Sequence, residues 1–208
     1  MKTLIMIDVQ NDFMPGGSLA VAHGDEIVPV INSLLNDTFD LVIATQDWHP
    51  KEHISFASNH KTHQPFDTVT LNGLEQTLWP DHCVQGTLGA ELHSDLNINP
   101  IEAIVRKGTN PTIDSYSGFY DNAYQKSTGL AGYLREKKAS VLFFCGLAAD
   151  ICVYHSIKDA VKEGFICYLI EDATRALDKD KFASVKEELS EMGVTMTQSD
   201  NINSLRTV

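Results

Sequence analysis

Apolar runs without internal polar alternation, separated by stretches of helical periodicity, constrain this chain more than any other feature. "TLIMID" (3–8), "DLVIATQD" (40–47), "EAIVRK" (102–107), "SVLFFCG" (140–146) and "ICYLIED" (166–172) read as strands, with a last short one near "VTMT". A strand with one wet face alternates apolar with polar, whereas a strand covered on both faces does not, and covering both faces takes helices above and below. Helical periodicity falls over "DEIVPVINSLLND" (25–37), around 121–137, from about 150 to 163, and over "DKFASVKEELSEMG" (180–193). Strands separated by helices imply crossover connections and so parallel pairing. The expected fold is a three-layer α/β/α arrangement with a mostly parallel sheet of about six strands. No linker, low-complexity tract or repeat divides residues 1–208, so a single domain is expected.

Composition narrows the function classes. With 208 residues, 43% of them hydrophobic and 21% charged, the chain has enough apolar surface to bury a core unaided. No apolar stretch approaches the ~18 residues of a membrane-spanning helix. The start, "MKTLIMIDVQNDF", is too acidic and its apolar run too short for a signal peptide, so it reads as a first strand. No membrane partner is expected. With 28 acidic against 16 basic residues the formal charge is −12. Such a surface repels phosphate backbones and no Lys/Arg cluster offsets it, which argues against a nucleic-acid partner. Cys83, Cys145, Cys152 and Cys167 are widely spaced and form no C-x-x-C motif. Reduced thiols in a cytoplasm are the natural expectation. The sequence leaves monomer and homo-oligomer open.

The region 48–100 breaks the alternation. It carries six of the eight histidines (His49, His53, His60, His63, His82 and His93), both tryptophans and little periodic pattern. A loop that long in a compact domain is either functional or misassigned, and its chemistry argues for function.

In an open parallel sheet, ligands bind beyond the carboxyl ends of the strands. The first strand ends at Asp8, the second at Asp47 with His49 just after, and the third at Lys107; the fourth runs into "GLAADIC", which puts Cys152 in the first turn of the next helix. Each residue alone also reads as a helix cap, a surface lysine or a buried thiol. Together they deliver an acid, a metal-type pair, a base and a thiol to one edge. A helix N-terminus favours thiolate at Cys152. The small residues Gly146, Ala148 and Ala149 let backbone N–H groups approach a substrate, as an oxyanion hole requires. An adjacent Lys107 would stabilise the thiolate and Asp8 would relay a proton. Cys83, Cys145 and Cys167 read as packing residues. Asp47 and His49, two apart on an extended segment, face one way. With His82 they make a carboxylate and two imidazoles suited to zinc, iron or manganese. His53 or Ser55 would add a fourth contact, while His60 and His63 read as solvated. Nothing local brings His82 beside the others.

Five segments now carry a resemblance: "DVQNDFMPGGSLAV" (8–21), "TQDWHPKEHISFAS" (45–58), "WPDHCVQGTLGAELH" (79–93), "RKGTNPTIDSYSGF" (106–119) and "GLAADICV" (146–153). In this order they resemble the nicotinamidases of the isochorismatase-like, Rossmann-like hydrolase superfamily over essentially the whole chain. The resemblance implies a catalytic triad of Asp8, Lys107 and Cys152, and one divalent metal, zinc first, on Asp47, His49 and His82. His53 takes the position of an additional ligand in some members. It also implies ring contacts from Phe13, Trp79 and Tyr116, and an oxyanion hole from the N–H groups of Ala148 and Cys152. There a cis peptide, here Leu147–Ala148, turns the amide inward. Many relatives carry Thr where this chain has Ala149.

The activity so implied is hydrolysis of nicotinamide to nicotinate and ammonia in NAD salvage, with pyrazinamide as a further substrate. Cys152 would form a thioester that water then cleaves, with the metal binding the pyridine nitrogen. Within the superfamily the alternatives are another small amidase or an isochorismatase, and the latter needs no cysteine nucleophile. A non-catalytic metal-binding or thiol redox protein is the rival from another class, and would call for a Cys145–Cys152 disulfide.

Overall fold

A computed structural model describes residues 1–36, 38–71 and 73–205. In chain order the regular elements are β1 (Lys2–Ile7), α1 (Ile27–Leu34), β2 (Leu41–Asp47), β3 (Thr68–Leu71), β4 (Leu74–Thr77), β5 (Ala103–Lys107), α2 (Leu130–Glu136), β6 (Val141–Gly146), α3 (Tyr154–Lys162), β7 (Ile166–Thr174), α4 (Lys179–Glu191) and β8 (Thr195–Thr197). Six strands form one sheet in the order β5-β2-β1-β6-β7-β8, every pairing parallel. The expected α/β architecture is therefore present.

The central apolar runs bury as their composition requires, whereas the edge strand β5 leaves Ile104 exposed. Leu4, Ile5 and Ile7 of β1, Ile43 of β2 and Leu142, Phe143 and Phe144 of β6 are all 0% exposed. The helices cover the sheet with apolar stripes. In α1 these are Ile27, Val28, Ile31 and Leu34, three to four residues apart along one face, and in α2 they are Leu130, Ala131 and Leu134. The α4 start is capped by Asp178, whose carboxylate accepts from the N–H groups of Asp180 (2.9 Å) and Lys181 (3.1 Å). Among the described residues no helix is long and apolar enough to cross a membrane.

The strand order fixes where a site can lie. From β1 the chain passes to β2 on one side, and from β6 to β7 and β8 on the other. The reversal between the adjacent β1 and β6 opens a crevice at their carboxyl ends. Asp8 follows one of these strands and the 147–153 turn follows the other.

Two sequence expectations are corrected. The helix expected around 121–137 is confined to Leu130–Glu136. Upstream, one Asp121 carboxylate oxygen takes the N–H groups of Ala123 (3.0 Å) and Gln125 (2.9 Å), and Tyr124 has a φ of 55°. These side-chain bonds hold the backbone in turns that compete with a helix. The region 48–100 is not without regular structure, since β3 and β4 form an antiparallel hairpin there. Its signal was the alternating "TVTL" and "LEQT" around an Asn-Gly pair at 72–73.

Candidate active site

Four elements bring the polar strand ends together. Asp47 and Lys107 are direct neighbours in the β2–β5 register. The Lys107 side chain is wholly enclosed; its Nζ lies 2.9 Å from Asp8 Oδ2 and 3.1 Å from Asp47 Oδ1. It also donates to Ser115 O (3.1 Å) and Cys152 Sγ (3.5 Å). Asp8 turns into the site with a φ of 48°, its Oδ1 accepting the Thr45 hydroxyl at 2.6 Å. Lysine, carboxylate and thiol thus share one buried centre.

Burial sets the protonation states. It disfavours the Lys107 ammonium, but Asp47 and Asp8 outweigh it and hold the amine well above its ordinary range, hence charged. For Asp8, burial prevails over Lys107 and raises the carboxyl, which makes it a better proton acceptor than an exposed aspartate. Burial likewise pushes the Cys152 thiol well above its ordinary value despite Lys107 beside it. Cys152 sits in a π-helical turn, Ala149–Val153, ahead of α3, and desolvation there exceeds what a helix end and one ammonium return.

The turn itself is pinned from several sides. Gly146 has a φ of 107°, and a Cβ at that position would collide with the backbone of Ile7, so only glycine fits. Thr174 Oγ1 donates to Gly146 O (2.6 Å), and the Asp150 carboxylate accepts from Leu177 N (2.8 Å). The Leu147–Ala148 peptide is cis. The N–H of Ala149 is taken by Arg175 O, and those of Ile151 and Val153 by Ala148 O. Those groups are spent on the turn, whereas Ala148 and Cys152 line the adjoining cavity. Ala149 is fully buried.

Beside this centre Asp47 Oδ2 lies 3.2 Å from His49 Nε2 and 3.5 Å from His82 Nε2. Each ring is aimed by a carbonyl: His49 Nδ1 donates to Gly108 O (3.0 Å) and His82 Nδ1 to Pro80 O (2.8 Å). A carbonyl only accepts, so each neutral ring carries its lone pair on Nε2, directed at a carboxylate oxygen. Two imidazole lone pairs and a carboxylate converging without a proton between them are a cation's donor set, and the residues present fit a divalent metal. Without one, burial opposes charge on His49 but Asp47 outweighs it and raises the ring. Burial also opposes charge on Asp47, yet His49 and Lys107 hold its carboxyl well below the usual range. Gly108, with a φ of 65°, leaves room for the His49 ring that any Cβ would occupy.

His53 and Ser55 are buried and bond to each other, Nδ1 to Oγ at 2.7 Å. His53 groups with His49 and Asp114 and not with the Asp47–His49–His82 trio, whose ligand atoms lie within 4.8 Å of one another. Burial, then His49, lowers its pKa to about 4.

A cavity opens onto Cys152, Asp47 and His82. Phe13, Trp79 and Tyr116 line it, with Leu19, Val21, Ile151 and Leu177, so the three candidate ring contacts share one wall set with the thiol. The Tyr116 hydroxyl accepts from Gln76 Nε2 (3.1 Å) and Trp79 Nε1 (3.3 Å). Gln76 also donates to Asp114 Oδ2 at 3.0 Å. Gln76, Asp114 and Thr45 escaped the sequence reading, because none follows a strand end or matches a ligand spacing.

Comparison with known proteins agrees with this geometry. The domain model described as "Isochorismatase domain" matches residues 2–201. A curated nicotinamidase of Acinetobacter baylyi is 48% identical over 96% of this chain and 93% of its own length. A solved nicotinamidase/pyrazinamidase of Acinetobacter baumannii superposes with a TM-score of 0.94 at 46% identity, covering 97% of each chain. The pyrazinamidase of Pyrococcus horikoshii, solved in complex with zinc, gives 0.79 at 35% identity over 95% of this chain and 98% of that one.

Proposed function

The chain belongs to the isochorismatase family, and on that premise we propose that it is an amidohydrolase that converts nicotinamide to nicotinate and ammonia, and accepts pyrazinamide. The observation that carries the reading is a cavity lined by the Cys152 thiol, three aromatic walls and Asp47 and His82 of a metal-type donor trio, with Lys107 and Asp8 buried behind the thiol. A flat apolar ring with one carboxamide and a ring nitrogen matches such a set of surfaces.

In the proposed reaction the Cys152 thiol gives its proton to the Asp8 carboxylate as Sγ bonds to the carboxamide carbon. Burial raises the Asp8 carboxyl, which makes it a stronger proton acceptor, and raises the Cys152 thiol, which holds its proton until Sγ attacks. Lys107 stays charged and stabilises the thiolate as it forms, 3.5 Å away. The carboxamide oxygen takes up the negative charge against the N–H groups of Ala148 and Cys152. Asp8 then returns the proton to nitrogen, the C–N bond breaks and ammonia leaves. Water adds to the thioester and gives a proton to Asp8; nicotinate departs and the thiol is restored.

Asp47, His49 and His82 would hold a divalent cation, zinc first with iron or manganese acceptable to the same donors, which supplies a Lewis acid for the ring nitrogen. Phe13, Trp79 and Tyr116 flank the ring, so orientation comes from the walls before any bond forms. The reading assigns the chain to cytoplasmic NAD salvage, consistent with its four unpaired, buried cysteines.

The test is ammonia release by zinc-loaded protein from nicotinamide, pyrazinamide and benzamide. The two heteroaromatic amides should be hydrolysed and benzamide, which lacks a ring nitrogen, should be far slower. Folded, metal-loaded protein that releases no ammonia from either heteroaromatic amide would overturn the proposal.

A further inference from the structure

β2 extends past its neighbour. Its ladder with β1 ends at Met6 opposite Ala44, and β1 itself stops at Ile7, where the chain turns away at Asp8. Asp47 lies beyond that point. On the β1 side its peptide N–H and C=O have no strand to meet, and buried backbone groups must be paired.

Gln10 pairs both. Its Oε1 accepts the Asp47 N–H at 2.8 Å and its Nε2 donates to the Asp47 carbonyl at 2.8 Å. The second hydrogen of the same Nε2 goes to Ala90 O, also at 2.8 Å. The Gln10 backbone N–H meanwhile bonds to Asp8 O at 2.8 Å. The residue is 0% exposed, and its side-chain amide is filled by these three bonds. One residue, through its side-chain amide and its backbone N–H, therefore ties together the strand end bearing Asp8, the strand end bearing Asp47 and the loop that follows His82.

We propose that Gln10 is the positioning residue of the metal centre, its amide standing in for the missing strand and fixing Asp47 relative to His82. This rests on the reading that Asp47, His49 and His82 hold a metal. The two imidazoles are aimed by carbonyls at their Nδ1 atoms, whereas the bearing of the Asp47 carboxylate depends on its peptide group being held still. The 82–92 loop has a second fastening, since Gln46 Nε2 also donates to Ala90 O at 2.9 Å. Loss of the Gln10 amide thus leaves the loop attached and loosens Asp47 on its β1 side, with the β5 ladder and Lys107 as its remaining fastenings.

The experiment measures zinc affinity of the full chain, stripped of metal, by competition with a chromophoric chelator, alongside Tm. Gln10→Met keeps the volume and removes all three bonds; it should weaken zinc binding about 10–100-fold, the range for losing an outer-shell partner. Gln10→Glu keeps the acceptor for the Asp47 N–H and loses both donors, should also weaken binding, and decides the matter if Gln10→Met does not fold. Leu134→Ala, a fully buried truncation in α2 outside the site, is the control for stability alone and should lower Tm with zinc affinity unchanged. Zinc affinity within about twofold of wild type in the folded Gln10 variants would overturn the proposal, as would an equal loss in Leu134→Ala. Wild-type protein that binds no zinc would remove the metal reading and this inference with it.

Discussion

Replacing Asp8 by Asn should move turnover and thiol acidity in opposite directions. Asn keeps the shape and still offers a carbonyl oxygen to the Thr45 hydroxyl, which now bonds Oδ1 at 2.6 Å. Lys107 retains Asp47 at 3.1 Å. What disappears is one negative charge 2.9 Å from Lys107 and within 4.8 Å of Cys152 Sγ. At that separation and an effective dielectric constant of about 20, two like charges repel by about 3 kcal/mol. Relief of that repulsion, with Lys107 still alongside, makes Cys152 more acidic. Loss of the proton acceptor meanwhile costs about 10²–10⁴ in kcat/KM. The assay pairs steady-state ammonia release with a pH titration of thiolate ultraviolet absorbance, using Cys152→Ala as the blank. Burial pushes the other three thiols up as well, Cys167 to about 12, and the Cys152→Ala blank subtracts whatever they contribute. A variant whose Cys152 titrates no lower than wild type would refute the electrostatic reasoning. One that retains turnover within about tenfold would refute the role of Asp8 as proton acceptor.

Other expectations follow from the same geometry. His82→Ala removes one of three converging donors, so zinc bound per chain after reconstitution should fall sharply, as measured by mass spectrometry of the metal; stoichiometric zinc would exclude His82 from the donor set. Phe13→Leu trades an aromatic wall for an aliphatic one, and loss of about 0.5–1.5 kcal/mol of ring contact should raise KM about 2–10-fold with little change in kcat. The pH profile of kcat/KM should be bell-shaped with both limbs displaced upward. Activity needs ionised Asp8, so it falls as pH drops through a carboxyl raised by burial; it needs the Cys152 proton, so it falls again as pH rises through a thiol raised by burial. An acid limb within the ordinary carboxylate range would show that another group controls it.

Much of this arrangement was legible in the sequence because parallel strands put their carboxyl-end residues on one edge. Asp8, Asp47 and Lys107 each close an apolar run, and the register of β2 with β5 and β1 makes them neighbours without further information. His82 was not placed by local pattern, because its approach to Asp47 depends on the 82–92 loop folding back onto the end of β2. Gln10 and Gln46 make that return, each donating to Ala90 O, and a glutamine's long-range amide contacts leave no periodicity to read. Asp121 misled in the opposite way. Its neighbourhood looks helical by apolar spacing, yet its carboxylate captures two backbone N–H groups and holds a turn. The enclosure of Cys152 was not legible either: sequence shows the helix start and the lysine, which favour thiolate, but the burial that raises the thiol emerges only from the packed structure.

The measurement that bears most directly on the account is ammonia release from nicotinamide by zinc-loaded wild type and Cys152→Ala, with Tm and bound zinc recorded for both. The account predicts turnover by the wild type and none above the uncatalysed rate by a variant that remains folded and metal-loaded. Ammonia release by Cys152→Ala at a rate comparable to wild type would show that the thiol is not the nucleophile and would contradict the central claim.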